Sequence, residues 1–148
     1  ATGNGMMAVM ALGAEGVQIG SRFVASTESS AHEAFKQAVV LAKEGDTQLT
    51  LKELAPVRLL KNKFYEELQA LYKTAPSTEK LKAFLGRARA KHGVFEGDLE
   101  KGELEIGQIS GLIATIEPVS AIVAAIITEF KACQNRLSKL NLNTKNDH

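Results

Sequence analysis

Chemistry first suggests itself where an apolar run ends in two small residues. In "GVQIGS", residues 16–21, Gly20 and Ser21 follow a short run bounded by glycines. A bare glycine backbone lets an anion approach the main-chain N–H groups, and the next serine adds one hydroxyl donor. The pair is therefore a candidate phosphate cradle, to be weighed against a plain turn with a capping serine. Gln18 alternates with Val17 and Ile19 and points to the opposite face from them, toward either a functional interior or a hydrogen-bonded structural position. Arg22 has two natural partners, a carboxylate or the phosphate, and the carboxylate is the expected one.

Other reactive side chains form no convincing set. His32 lies in the first turn of a helix and His92 in the last turn of another, before Gly93, while His148 is terminal. A histidine suits general-base work near neutral pH, but a surface position at a helix end is the plainer role for each. Three scattered histidines and one cysteine give no zinc-ligand spacing. The acids of "FEGDLEKGELE" lack the alternating ligands of a calcium loop and read as a solvated segment. Cys133 falls on an apolar helical stripe and reads as a small core residue. "GQISGL", residues 107–112, reads from its own residues as a helix N-terminus with a polar cap that includes Gln108 and Ser110.

The elements that must hold these residues follow from periodicity and punctuation. "NGMMAVMAL" reads as a short helix capped by Asn4 and ended near Gly13, and residues 16–19 as a buried strand. A helix over 31–43 is predicted from Ser30 and Glu33 spaced as a capping box, with Gly45 as terminator. "DTQLTLKEL" alternates and reads as a strand or an extended excursion. Helices are predicted over 62–73, from about Pro76 to Gly93, and over 106–115. Pro118 starts a last helix whose stripe is Val119, Ile122, Val123, Ile126, Ile127, Phe130, Cys133, Leu137 and Leu140. Residues 141–148 read as a polar tail. A lone buried strand cannot satisfy its own backbone hydrogen bonds, so its neighbours are expected upstream of Ala1.

Composition sets the outer limits. The chain has 148 residues, 45% apolar and 24% charged, with a formal net charge of +1. Interleaved acids and bases argue against a dedicated nucleic-acid or anionic-membrane surface. Glu117 and Pro118 interrupt the most apolar region, residues 106–128, which speaks against a membrane span. A single cysteine points to a reducing, cytoplasmic setting.

A helix, a buried strand, then glycine and a hydroxyl at the strand's C-terminal end describe the last unit of a (β/α)₈ barrel, an α/β fold whose late loops commonly bind phosphate. "LGAEGVQIGSRFVASTESSAHEAFKQ", "PVRLLKNKF" and "EGDLEKGELEIGQISGLI", in that order, resemble the C-terminal half of the nitronate monooxygenase (2-nitropropane dioxygenase) family, to which FMN-dependent enoyl-acyl-carrier-protein reductase II is closely similar. The resemblance runs from Ala1 to about Phe130. It implies an FMN-binding TIM barrel with the flavin phosphate on Gly20 and Ser21, the latter standing where most relatives have Thr. Gln18 falls on the strand position before them and Gly3 and Gly5 in the preceding phosphate loop. The family's catalytic histidine and most contacts to the flavin ring are expected upstream, and its "GQISGL" motif opens a late helix that packs toward the active-site mouth, which implies that Gln108 and Ser110 meet substrate.

The resemblance further implies a division into the last barrel units (1–45), a helical extension (46–117), a C-terminal helix (118–140) and the tail. The implied reaction is oxidation of an alkyl nitronate by dioxygen to a carbonyl compound and nitrite. Its rival on the same fold is NAD(P)H-dependent reduction of an enoyl thioester. A non-catalytic helical scaffold or dimerisation module is the alternative from another class. The implied partners are the small-molecule substrate and the N-terminal half of the barrel; the last helix reads as core or packing surface first and as a contact with a second copy of the chain second.

Overall fold

The computed structural model describes residues 1–140, which form two compact units: residues 1–19 with 120–140, and residues 20–119. In chain order the elements are helices α1 (Gly3–Ala11), α2 (Ser21–Val24) and α3 (Glu33–Leu41), strands β1 (Thr47–Thr50) and β2 (Val57–Leu60), then helices α4 (Lys63–Tyr72), α5 (Thr78–Leu85), α6 (Arg89–Val94), a 3₁₀ turn (Gln108–Leu112) and α7 (Val119–Leu137).

In the first unit, α1 is capped by Thr2 and not by Asn4. Thr2 is extended, and its Oγ1 accepts the Gly5 N–H at 3.1 Å. Gly3 is buried where the start of α1 meets α7. A Cβ there would run into Ile126 O and Phe130 N and stand 2.6 Å from Glu129 Cβ. The Gly3 N–H donates to Glu129 Oε2 at 2.8 Å, so a carboxylate from α7 occupies a first-turn donor. The last helix begins after Pro118 as its sequence predicts, but its stripe is narrower. Ile122, Ile126 and Cys133 are buried, whereas Val123, Ile127, Leu137 and Leu140 are exposed. Residues 16–19 form no strand, against the sequence expectation. A strand is defined by its ladder, and no segment among the described residues pairs with them.

The second unit is organised by β2, which the sequence reading passed over. β1 and β2 pair antiparallel in the register Thr47↔Leu60 to Thr50↔Val57. Successive strand residues face opposite sides, and β2 uses both. Leu60 joins a cluster with Ala25, Ala31, Phe35, Val39, Leu104, Ile106 and Ile113, while Leu59 joins one with Leu51, Phe64, Leu68 and Leu81. The segment 104–106 lies along the other edge of β2. Leu60 N donates to Leu104 O at 2.9 Å and Ile106 N to Arg58 O at 3.1 Å, with an antiparallel bridge between Leu59 and Glu105. That pairing corrects the predicted helix over 106–115, because residues in a ladder cannot also start a helix. Only a 3₁₀ turn forms, ended by extended Ile113.

Helix starts hold better than helix ends. Asn62 caps α4 through Tyr65 N at 3.0 Å, and its amide donates to Leu99 O and Gly102 O, both at 2.9 Å. In α3 the cap is His32, whose Nδ1 accepts the Ala34 N–H at 3.1 Å, in place of the expected Ser30 and Glu33 box. The predicted helix from Pro76 to Gly93 is two helices, broken by Gly86 at φ +67° and Ala88 at φ +60°. Arg89 then locks the break. Its guanidinium donates to Leu85 O, Lys101 O and Phe84 O at 2.8, 3.0 and 3.1 Å, and lies 4.7 Å from the Phe64 ring centroid.

Candidate functional site

The corner at residues 20–28 is built around one helical turn. Gly20 precedes α2 at φ −106° and ψ −74°, and its carbonyl accepts the N–H groups of Phe23 at 2.9 Å and Val24 at 3.3 Å. The main-chain N–H groups of Gly20, Ser21 and Arg22 find no acceptor among the described residues. A Cβ on Gly20 would meet nothing within 4 Å. Open space thus lies beside consecutive unpartnered donors, the donor chemistry a phosphate needs.

Ser21 adds a hydroxyl held from outside the corner. Its Oγ accepts the Gly107 N–H at 3.0 Å, which ties α2 to the start of the 3₁₀ turn. Arg22 forms an ion pair with Glu117 and donates to Ala25 O at 3.2 Å and Thr115 O at 3.0 Å. It makes the carboxylate pairing expected from the sequence and joins residues 22–25 to 115–117. A parallel bridge between Ser26 and Glu117 adds to that seam, with Thr27 N donating to Glu117 O at 3.1 Å. Ser26 is buried and satisfied on both sides, donating to Phe23 O at 2.8 Å and accepting from Ser29 N at 3.1 Å. Glu28 accepts the Val119 N–H on both carboxylate oxygens, at 3.0 and 2.9 Å. That bond, followed by the Thr27 hydroxyl, holds its carboxyl below the usual range.

Gln108 and Ser110 share the 3₁₀ turn but differ in surroundings. Gln108 is exposed and lines an open cleft of about 480 Å³ with Glu44, Gly45, Ile109, Gly111 and Leu112. Ser110 is fully buried, and its Oγ has no hydrogen-bond partner among the described residues. Of the residues singled out from the sequence, the structure therefore brings Gly20 and Ser21 together with the turn that carries Gln108 and Ser110. Gln18 is exposed in the unpaired stretch 16–19, and Gly3 is a packing glycine whose amide is taken by Glu129.

The remaining reactive groups have structural partners. His32 caps α3 through its ring, and its main-chain N–H donates to Val94 O at 2.8 Å. His92 Nδ1 lies 2.5 Å from Glu96 Oε2, and Cys133 is buried. His92, then Lys91, keeps the Glu96 carboxyl below its ordinary range. Two residues the sequence did not single out matter more. Gly107 is the partner of Ser21. Glu103, assigned from the sequence to a solvated acidic loop, is buried. Loss of solvent, then repulsion from Glu105, pushes its carboxyl up to about 7 against the pull of Arg89. No local pattern marks either one, since both depend on contacts distant in sequence.

Comparison with known proteins places this architecture within a larger class of fold. The chain superposes on FabK from Thermotoga maritima with a TM-score of 0.84 at 39% identity, covering 93% of this chain and 44% of that one. Nitroalkane oxidase from Streptomyces ansochromogenes matches with a TM-score of 0.71 at 27% identity, over 92% of this chain and 38% of its own. The fold thus corresponds to part of a barrel protein. The nitronate monooxygenase family model matches residues 1–129, and the chain belongs to that family of oxidoreductases. A probable nitronate monooxygenase of Staphylococcus aureus (strain MSSA476) is 34% identical over 131 residues, which are 86% of this chain and 36% of that protein. The chain therefore spans about a third of the length of the curated relatives it matches.

Proposed function

We propose that this chain is the C-terminal portion of an FMN-dependent oxidoreductase of the nitronate monooxygenase type, and that Gly20 and Ser21 hold the flavin phosphate. The observation that carries the reading is the row of unpartnered N–H groups at residues 20–22, next to a glycine with open space where a side chain would be. Family membership and the match to part of a larger barrel support it. FMN, when bound, supplies the two-electron chemistry that takes an alkyl nitronate and dioxygen to a carbonyl compound and nitrite. The chain's own share is to grip the phosphate through main-chain amides and the Ser21 hydroxyl. Gln108, open to its cleft, and Ser110 are the groups proposed to meet substrate. Gln18 keeps its proposed place beside the flavin, and Gly3 its proposed place in the preceding phosphate loop, there as a packing glycine because its N–H is taken by Glu129.

The proposed partner of the chain is the rest of the barrel. Apart from Asn4 every residue of α1 is apolar or glycine, yet Val9 is 41% exposed and Leu12, which caps its end, 87%. A helix of that kind is ordinarily covered on all sides. Isolated residues 1–148 with added FMN are accordingly expected to release no nitrite from a nitronate. The test of the site is FMN titration of the full-length protein, where Gly20→Val should weaken binding by blocking the approach of phosphate to backbone. Unchanged affinity removes the corner from the site. NAD(P)H-dependent reduction of an enoyl thioester would use the same phosphate corner. Nitrite release against NAD(P)H consumption separates the two reactions, and a protein that takes up no flavin would belong to the non-catalytic alternative.

A further inference from the structure

Resting on the reading of Gly20 and Ser21 as a flavin-phosphate corner, we propose that Gly107 is a positioning residue for that phosphate: its N–H holds the Ser21 hydroxyl so that the hydroxyl's one proton is left for the anion. A serine hydroxyl has one O–H donor and two acceptor lone pairs. The bond from Gly107 N, 3.0 Å long, takes up a lone pair, and no group among the described residues accepts the Ser21 O–H. The proton is thereby free for a partner from outside this part of the chain, beside amides that are also unpaired. Accepting a hydrogen bond also polarises the hydroxyl and makes it a better donor.

Glycine at 107 is required by its neighbour and not by its own backbone. At φ −70° and ψ 157° it is ordinarily extended, a conformation open to any residue. A Cβ there would stand 2.6 Å from Ser21 Oγ, well inside contact distance, and only 3.8 Å from Ser21 Cβ. An alanine must therefore push the hydroxyl away or lose the N–H bond. The clash is with the oxygen alone, because 3.8 Å to the carbon is ordinary contact. Gly107 also opens the turn that carries Gln108 and Ser110, so one hydrogen bond joins the phosphate corner to the segment proposed to meet substrate.

The experiment is FMN titration, by flavin fluorescence, of the full-length apoprotein in native, Ser21→Ala, Gly107→Ala and doubly substituted forms. Each single substitution is expected to weaken FMN binding about tenfold, the lower end of the range for losing one hydrogen bond to a charged group. The double substitution should be within about twofold of Ser21→Ala alone, since the clash needs the oxygen. Ser21→Thr, which keeps the hydroxyl, should bind like the native protein. If Gly107→Ala binds FMN normally, or if the two losses multiply, the positioning role is overturned while the phosphate corner stands on the Ser21→Ala loss. If neither Ser21→Ala nor Gly20→Val alters affinity, the corner itself fails and this proposal with it. Should Gly107→Ala not fold, glycine-selective ¹⁵N labelling of the native protein decides. FMN should move the Gly107 amide resonance, and Ser21→Ala should abolish that response. A Gly107 resonance unmoved at saturating FMN overturns the proposal.

Discussion

Gly20 and Gly102 are both glycines of the second unit, and they are there for opposite reasons. At Gly20 a Cβ would meet nothing within 4 Å, and neighbouring amides are unpartnered. At Gly102 a Cβ would fall on Gly93 Cα and Asp98 O and stand 2.5 Å from Gly93 N. Gly93 answers in kind, with Glu103 O 2.8 Å from the position of its own missing Cβ. The two close glycines let the loop 98–103 lie directly on α6, and that contact shuts Glu103 away from water. One glycine leaves space open, where the proposed flavin phosphate would sit, while the other removes space so that backbone can touch backbone.

The sharpest way to break this contrast is to fill both positions. Gly102→Val is expected to destabilise the protein by about 3 kcal/mol or more, because the obstructing atoms are backbone and cannot rotate away. Gly20→Val is expected to cost about 1 kcal/mol or less in stability, since a β-branched residue at a helix start is only mildly unfavourable. Its effect should appear in FMN affinity, reduced on the order of a hundredfold by loss of close phosphate approach. Thermal unfolding by circular dichroism and flavin titration measure the two losses separately. Equal loss of stability in both variants would falsify the contrast.

Glu103 sharpens the closed side of the comparison through pH. Its folded-state carboxyl titrates near 7, above the ordinary 4.5. The folded protein then holds a proton that the unfolded chain has released, so stability falls as pH rises from about 4.5 to about 7 and levels off above that. The expected loss across this window is about 3 kcal/mol, at about 1.4 kcal/mol for each pH unit between the two values, the pull of Arg89 being already contained in the folded-state value. Glu103→Gln should remove the slope and leave a protein more stable than the native one at pH 8. Urea unfolding at pH 5 and pH 8 tests both points. A native protein with equal stability at the two values would place Glu103 in water.

What could be read from the sequence follows the range of the interactions involved. Asn62 and Pro118 mark the starts of α4 and α7 because a cap, or a proline immediately ahead of a helix, acts within a few residues. Arg22 was legible as a clamp from its residue type, although Glu117 lies 95 positions away. The strand β2 was not legible. "VRLL" is short and apolar on both faces because it separates two clusters, so it lacks the alternation of a half-buried strand. Residues 16–19 form no ladder among the described residues, and the neighbours expected for that strand lie outside them. At the site, Gly20 and Ser21 were legible as a local pair. Gly107 was not, because its glycine answers to an oxygen 86 residues earlier and to nothing in its own backbone.

The smallest expected effect belongs to the second serine of the site and extends the comparison from glycines to hydroxyls. Ser21 Oγ is bonded by Gly107 and keeps its proton, whereas Ser110 Oγ is fully buried with no partner among the described residues. A buried hydroxyl without a hydrogen bond loses its hydration and gains nothing in return, a penalty of about 1–3 kcal/mol. Replacing it by a methyl group of nearly the same size removes that penalty and leaves only a small void. Ser110→Ala is therefore expected to leave stability unchanged or raise it by up to about 1 kcal/mol in the flavin-free protein. If Ser110 also meets substrate as proposed, the variant should lose catalytic efficiency with nitronate while its unfolding temperature holds. A fall in unfolding temperature instead would mean that the hydroxyl has a partner in the flavin-free protein, and Ser110 would then resemble Ser26, bonded on both sides, more than a group held in reserve for a ligand.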